Sequence, residues 1–395
     1  MIRVTGVRAR MVAVALAAGA PATVAVPVSA LAQAGQSASG QSAAGQPAAR
    51  PADDARRPDQ GRPAETEKKP LPAKATRELP PALLALLREK RMPKNSPIVL
   101  RVFKEEAELE VWKQDTSGRF QHLKTYPICR WSGDLGPKQF EGDRQAPEGF
   151  YTVTPALMNP HSAFHLAINT GYPNAFDRAN GRTGSLLMIH GICASAGCFA
   201  MTDPQIEEIY GLARDALAGR PWFQVQAYPF RLTPANLARH RDSPNLPFWT
   251  MLKIGNDHFE TSRREPRVDV CERRYVFDAK PLPNAAAPFV FDPVGKCPPH
   301  MVDPKIAGPA QEKQRADAAE TDRLVAQQIA DGVPAAPIYT GLDGGMHDSF
   351  RARFFRVIIP LAKVMPYASH LPTLPPIPYV DDDGSLATKW FGTAF

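Results

Sequence analysis

The segment Ile189-His190-Gly191-Ile192-Cys193-Ala194-Ser195-Ala196-Gly197-Cys198-Phe199-Ala200 decides how this chain is read. The apolar run Leu186 to Ile189 reads as a buried strand that delivers His190 at its end. Seven residues, mostly small, then separate that imidazole from Cys198. A thiol is a poor nucleophile until it loses its proton; a nearby imidazole can take the proton and hold the thiolate as an ion pair. Gly197 lets the backbone come close to a substrate carbonyl, where the amides of Gly197 and Cys198 would meet a developing oxyanion. Strand, small-residue loop and cysteine together describe acyl transfer through a thioester. Ser195 adds a hydroxyl that serves either the chemistry or the turning of the loop. Two other uses of these residues stay open. His190, Cys193 and Cys198 could bind zinc, although no paired CxxC or HxxxH elsewhere offers a fourth ligand. A Cys193–Cys198 disulfide would silence the thiol in an oxidising compartment.

Working outward, the N-terminal region reads as a leader. Arg3, Arg8 and Arg10 precede an Ala- and Val-rich stretch that closes on Ala30-Leu31-Ala32, the pattern of a secretory signal peptide over residues 1–32. Pro21 and Pro27 make that stretch a poor spanning helix, so contact with a membrane is expected only during export. Residues 33–77 have almost no large apolar side chain and cannot bury enough surface to offset their ordering entropy. They read as a disordered linker. Of the net charge of +7, three belong to the arginines of the leader. The remaining excess suits an anionic polymer; no basic run interleaves with stacking aromatics, which excludes nucleic acid as the expected partner. Five cysteines are an odd count for an exported chain and point to a free thiol beside disulfides. Cys271 and Cys297 bracket a Pro-rich excursion and are expected to be joined, while Cys129 and Cys193 stay unassigned. No metal and no cofactor is expected.

The folded part alternates strands and helices. Pro80 to Arg91 has helical apolar spacing, Ile98 to Phe103 is strand-like, and Glu108 to Trp112 alternates polar and apolar residues. A turn at Asp115 to Gly118 leads into a strand over Phe120 to Cys129. Beyond the central segment, Asp203 is the expected N-cap of a helix that has Pro204 in its first position and stops at Gly219. Gln224 to Phe230 is a further strand and Phe248 to Phe259 a further helix. Gln311 to Ala330 favours helix by composition. Pro366 to Pro378 cannot form a central strand, and the Gly-rich turn from Gly341 to Asp348 is too irregular for a phosphate or calcium loop.

The pattern His190-Gly191, then Ser195-x-Gly197-Cys198, resembles the active-site signature of the L,D-transpeptidase (YkuD-type) catalytic domain family, cysteine enzymes of bacterial peptidoglycan, in its YafK-like murein branch. Four further blocks carry the likeness in the expected order over roughly residues 95 to 280: Trp131 to Lys138, Gly142 to Tyr151, Asn169 to Asp177 and Tyr228 to Arg231. Many family members have a His immediately before the Gly-Cys pair and an Arg shortly after it; this chain has Ala196 and Ala200. The resemblance implies an α+β fold: a mixed, mainly β catalytic domain of bent β-sheets with flanking helices at 78–280, then an irregular Pro-rich C-terminal extension at 281–395. It implies a periplasmic enzyme in which Cys198 attacks a carbonyl of a peptidoglycan stem peptide and His190 moves the proton. The Gly191 carbonyl would orient that imidazole. Tyr172 and Asn174 would line the cleft, with His165 and Arg144 as further substrate contacts. An amine acceptor gives crosslinking or attachment of a wall-bound lipoprotein. Water gives a hydrolase that releases such a lipoprotein or trims stems. A catalytically silent peptidoglycan-binding protein is the reading from another class.

Overall fold

The computed structural model describes residues 69–283, 288–338 and 343–351, with two further backbone segments at Tyr379–Val380 and Leu386–Ala387. The expected leader, the linker up to residue 68 and the stretch 366–378 lie outside them.

Two short helices, α1 (Ala73–Thr76) and α2 (Pro81–Glu89), come first. Ala75, Leu79, Leu83 and Leu87 are buried, so packing begins a few residues ahead of the expected start at 78. Next come β1 (Ile98–Phe103), β2 (Glu108–Gln114), β3 (Phe120–Pro127), β4 (Arg130–Trp131), β5 (Gly149–Val153), β6 (Met158–Asn159) and β7 (Ala167–Asn169). They are followed by α3 (Ala175–Ala179), β8 (Met188–His190), β9 (Phe199–Ala200), α4 (Asp203–Gly219) and β10 (Phe223–Tyr228).

The strands make two sheets. One has the order β3-β2-β1-β10-β5, parallel only between β1 and β10. The other has the order β4-β9-β8-β7-β6, parallel only between β8 and β9. Helix α4 touches β1 and β10 of the first and β7 and β8 of the second. Its Ile206, Ile209, Leu212 and Ala213 share one core with Leu100, Val225, Ile168, Ile189 and Phe199. Every residue of β1 and β10 is buried because the first sheet is covered on both faces. Side chains alternate across it, so Leu100 and Val102 join the α4 core while Arg101 points the other way, to α6 (Leu246–Ser262), where it donates to Asn256 Oδ1 at 2.5 Å.

Below this face lie α5 (Pro234–Arg239), the hairpin β11 (Val268–Cys271) and β12 (Arg274–Phe277), the pair β13 (Ala279–Pro281) and β14 (His300–Val302), and α7 (Pro304–Ala330). The boundary expected at residue 280 falls inside β13. A disulfide joins Cys271 to Cys297, with their Cα atoms 5.1 Å apart. The extension is not irregular throughout. Helix α7 starts at Pro304, ahead of the expected Gln311, and carries Pro309 inside its early turns, a residue that reads as a helix end in sequence. It packs on α5 and α6, where Lys253 Nζ donates to Asp317 Oδ2 at 2.6 Å. The architecture is α+β, with bent sheets and flanking helices. Among the described residues no helix is long and apolar enough to cross a membrane.

Candidate active site

Strands β8 and β9 run parallel with Ile189 opposite Phe199 and His190 opposite Ala200. Because side chains alternate with a period of two, His190 shares a face of the sheet with Ala200 and with Cys198, one residue ahead of β9. The Met188 amide donates to Cys198 Sγ at 3.4 Å, and the thiol donates to the Leu186 carbonyl at 3.6 Å. His190 Nδ1 lies 2.5 Å from the Gly191 carbonyl oxygen. A carbonyl can only accept, so Nδ1 carries the proton and Nε2 keeps its lone pair. The ring of Phe164 covers the imidazole with centroids 4.7 Å apart.

The Gly191–Ile192 peptide unit is held at both ends. Its carbonyl, on Gly191, accepts from His190; its N–H, on Ile192, donates to Asp203 Oδ1 at 2.8 Å. Asp203 is therefore not the N-cap of α4. Thr202 takes that position, with the Gln205 side chain accepting from the Thr202 amide and hydroxyl, both at 2.9 Å, and Asp203 is left to serve the loop. A Cβ on Gly191 would meet Asp203 Oδ1 at 2.5 Å and His165 Cβ at 2.9 Å, which requires a glycine there.

Burial sets the resting charges. It pushes the Cys198 thiol above its ordinary pKa, with the Met188 amide and the Lys138 ammonium acting in the opposite direction. It pulls the His190 imidazole below its ordinary pKa, against the Gly191 carbonyl and the Asp203 charge. Both shifts run against the charged forms, so the ion pair expected from the sequence has to form against the desolvation of the two groups.

The thiol loop is tied down by hydroxyls. Ser132 Oγ accepts from Gly197 N at 2.5 Å and donates to the Arg144 carbonyl at 2.8 Å. Ser195 Oγ accepts from Cys198 N at 3.1 Å and donates to the Cys198 carbonyl at 2.8 Å. Both amides expected to form the oxyanion hole are thus engaged, and an oxyanion reaches them only by displacing a serine. Cys193 is bonded to Cys129, with Cα atoms 5.4 Å apart, which removes it from any zinc site or bridge to Cys198. Cys198 remains a free thiol. Among the described residues no cluster of three His, Cys, Asp or Glu side chains could hold a metal.

The remaining sequence candidates divide. Arg144 stands at the loop: its carbonyl carbon is 3.8 Å from where a Gly197 Cβ would lie. His165 is behind the His-Gly turn, with Nε2 2.8 Å from Glu207 Oε1. Tyr172 is buried, and its hydroxyl donates to the Lys138 and Thr183 carbonyls, each at 3.3 Å. Asn174 caps α3 and donates to the Phe150 carbonyl at 2.8 Å and the Tyr275 hydroxyl at 2.7 Å. Tyr172 and Asn174 shape the framework of the cleft. Ser132, Phe164 and Lys138 were not singled out by sequence, and Asp203 was expected only as a helix cap. Ser132 and Lys138 sit inside the Trp131 to Lys138 block, and the Asp-Pro pair after the cysteine was the available pointer to Asp203.

Comparison with known proteins fits this geometry. The L,D-transpeptidase catalytic domain (YkuD) family model matches residues 98–225. The chain is 48% identical over 188 residues to the protein named "Putative L,D-transpeptidase YafK" of Escherichia coli K12, covering 47% of this chain and 76% of that one. The chain belongs to the L,D-transpeptidase (YkuD-type) family. The protein of the same name from Escherichia coli O157:H7 matches with the same identity and coverage. Among solved structures, the helical cell shape determining protein Pgp2 of Campylobacter jejuni is similar at 22% identity and a TM-score of 0.29, over 38% of this chain and 56% of that one. Bd1075 of Bdellovibrio bacteriovorus is similar at 26% identity and a TM-score of 0.24, over 34% and 49%. The L,D-transpeptidase match starts at β1 and ends within β10, so it encloses the whole thiol site.

Proposed function

We propose that this family member is an exported, periplasmic acyltransferase that works on peptidoglycan stem peptides through a Cys198 thioester. The observation that carries this reading is the β8–β9 register, which sets His190 and Cys198 on one face with Nε2 of the imidazole unprotonated. As Sγ attacks the peptide carbonyl, its proton passes to His190 Nε2. The C–N bond then breaks, the imidazolium returns that proton to the leaving amine, and a thioester remains. An incoming amine, from a second stem or from a wall-attached lipoprotein, gives up a proton to His190, attacks the thioester and restores the thiol. Water in place of the amine gives hydrolysis by the same steps. The Gly191–Ile192 peptide, with Asp203 behind it, is the third member of the triad. Two disulfides support an oxidising compartment.

The test is mass spectrometry of muropeptides after the mature protein has acted on purified sacculi, with Cys198→Ala as control. Crosslinked dimers are expected. Shortened stems or released lipoprotein fragments would assign a hydrolase. Muropeptides left unchanged by the wild-type protein would overturn the reading.

A further inference from the structure

One charged contact beside the thiol has no part in the steps above. Asp343, in the C-terminal extension, pairs with Arg144 Nη2, and Asp343 Oδ1 accepts from the Gly133 amide at 3.3 Å. Arg130 Nη2 donates to the Asp343 main-chain carbonyl at 3.1 Å. Both arginines are fixed to the backbone that presents Cys198. Arg130 lies directly across from Ala200 in the β4–β9 pair, and the Arg144 carbonyl is held by the same Ser132 hydroxyl that receives the Gly197 amide. The pair is open to water: the Arg144 and Asp343 side chains are 54% and 41% exposed. An ion pair so exposed adds little to the stability of a fold. A guanidinium with a neighbouring amide is, however, a good receptor for a carboxylate.

We propose that Arg144, Arg130 and the Gly133 amide form a carboxylate-binding subsite for the peptide substrate, and that Asp343 fills it in the unliganded chain. The proposal rests on the reading that a stem peptide is the substrate. Such a peptide carries carboxylates close to the bond it offers, at its C-terminus and on its diamino acid. Either presents the chemistry that Asp343 presents now. Burial alone would raise the Asp343 pKa, but the Arg144 pair, the Gly133 amide and the Arg130 charge outweigh it and hold the group below the usual carboxylate range. A ligand must displace this internal occupant, so its apparent affinity falls by the fraction of time the subsite is open.

The experiment titrates three peptides into the full chain carrying Cys198→Ala, in which turnover cannot occur. They are a stem tetrapeptide with free carboxylates, its C-terminal amide, and the form amidated on the diamino acid. Expected is tighter binding of the free acid than of one of the two amides, and that amide identifies the carboxylate used. Adding Asp343→Ala or Asp343→Asn should tighten the free acid roughly threefold or more and leave the discriminated amide unchanged. Adding Arg144→Ala should reduce the free acid to the level of that amide. Weaker binding on removal of Asp343 would make it a scaffold for Arg144 and overturn the proposal. Equal binding of all three peptides, or no binding to the Asp343 variants, would overturn it as well. Failure of the wild-type protein on sacculi, with the carboxylate preference intact, would strike the functional reading alone.

Discussion

Behind the proposed pair of His190 and Cys198 stands a third residue that neither touches. Asp203 accepts from the N–H of the peptide whose carbonyl holds His190. Hydrogen bonds at both ends of an amide polarise it cooperatively, so the carboxylate strengthens the grip on Nδ1 and favours protonation at Nε2. Of the other titratable groups near the turn, His165 lies between Asp203, with Nδ1 3.6 Å from Oδ2, and Glu207, which also pairs with Arg77; Lys138 stands on the thiol side. Asp203→Asn keeps an oxygen for Ile192 and leaves the Thr202–Gln205 cap in place. It is expected to lower kcat several-fold with KM unchanged, and to move the acid limb of the pH–rate profile to lower pH, because the imidazolium loses a stabilising charge. An unmoved limb would leave Asp203 a purely structural role. A second expectation concerns the thiol. Since burial raises its pKa, alkylation of Cys198 by iodoacetamide should gain speed only above the ordinary thiol range near about 8.5. Fast alkylation at neutral pH would restore the ion pair. That His190 and the free thiol of Cys198 come to one sheet face was legible, because their spacing and small neighbours announce it. Ser132 was not, since its hydroxyl becomes informative only when folding carries it 65 residues along the chain to Gly197.

Between residue and fold, the element that steadies the site is the loop from β4 to β5. It is built around Lys104, whose side chain is fully buried with Glu148. Lys104 Nζ donates to the carbonyls of Asp134, Gly136 and Ala146 and to Glu148 Oε1, at 2.7, 3.1, 3.1 and 2.9 Å. Glu148 in turn accepts from Gly136 N at 2.7 Å and from Trp249 Nε1 at 2.8 Å. Lys104→Met fits the volume but strands a buried carboxylate and three carbonyls. That is expected to cost about 3–5 kcal/mol, read as a melting temperature lower by roughly 10 °C; a change under about 2 °C would show that water replaces the ammonium. The strands themselves were legible because β1 and β2 follow apolar patterning. The start of α7 was not, because Pro309 reads as a stop until the packing on α5 and α6 is known.

Across the molecule, the Cys129–Cys193 bridge links the bend just ahead of β4 to the loop between His190 and Cys198, over a separation of 64 residues. In the loop-entropy picture a bridge of that span contributes about 4 kcal/mol through the unfolded chain. Cys129→Ala combined with Cys193→Ala should therefore melt earlier while still turning over substrate, since Cys198 keeps its own contacts. Loss of activity in a chain that remains folded would instead make the bridge part of the catalytic apparatus. This pairing could not be drawn from sequence: proximity across the two parallel strands is a product of the fold.

Gly345 exchanges both backbone hydrogen bonds with Trp131, each at 3.0 Å, along the outer side of β4. The approach is so close that a Cβ on Gly344 would fall 1.8 Å from the Trp131 carbonyl oxygen. The contact is a seal on an open sheet edge, and such an edge is a template for strand addition. A chain cut ahead of residue 343 would present the N–H and C=O of Trp131, one residue from Ser132, to any extended backbone that arrives. That includes the same strand of a second copy, so shortening the tail trades an internal seam for a surface prone to self-association.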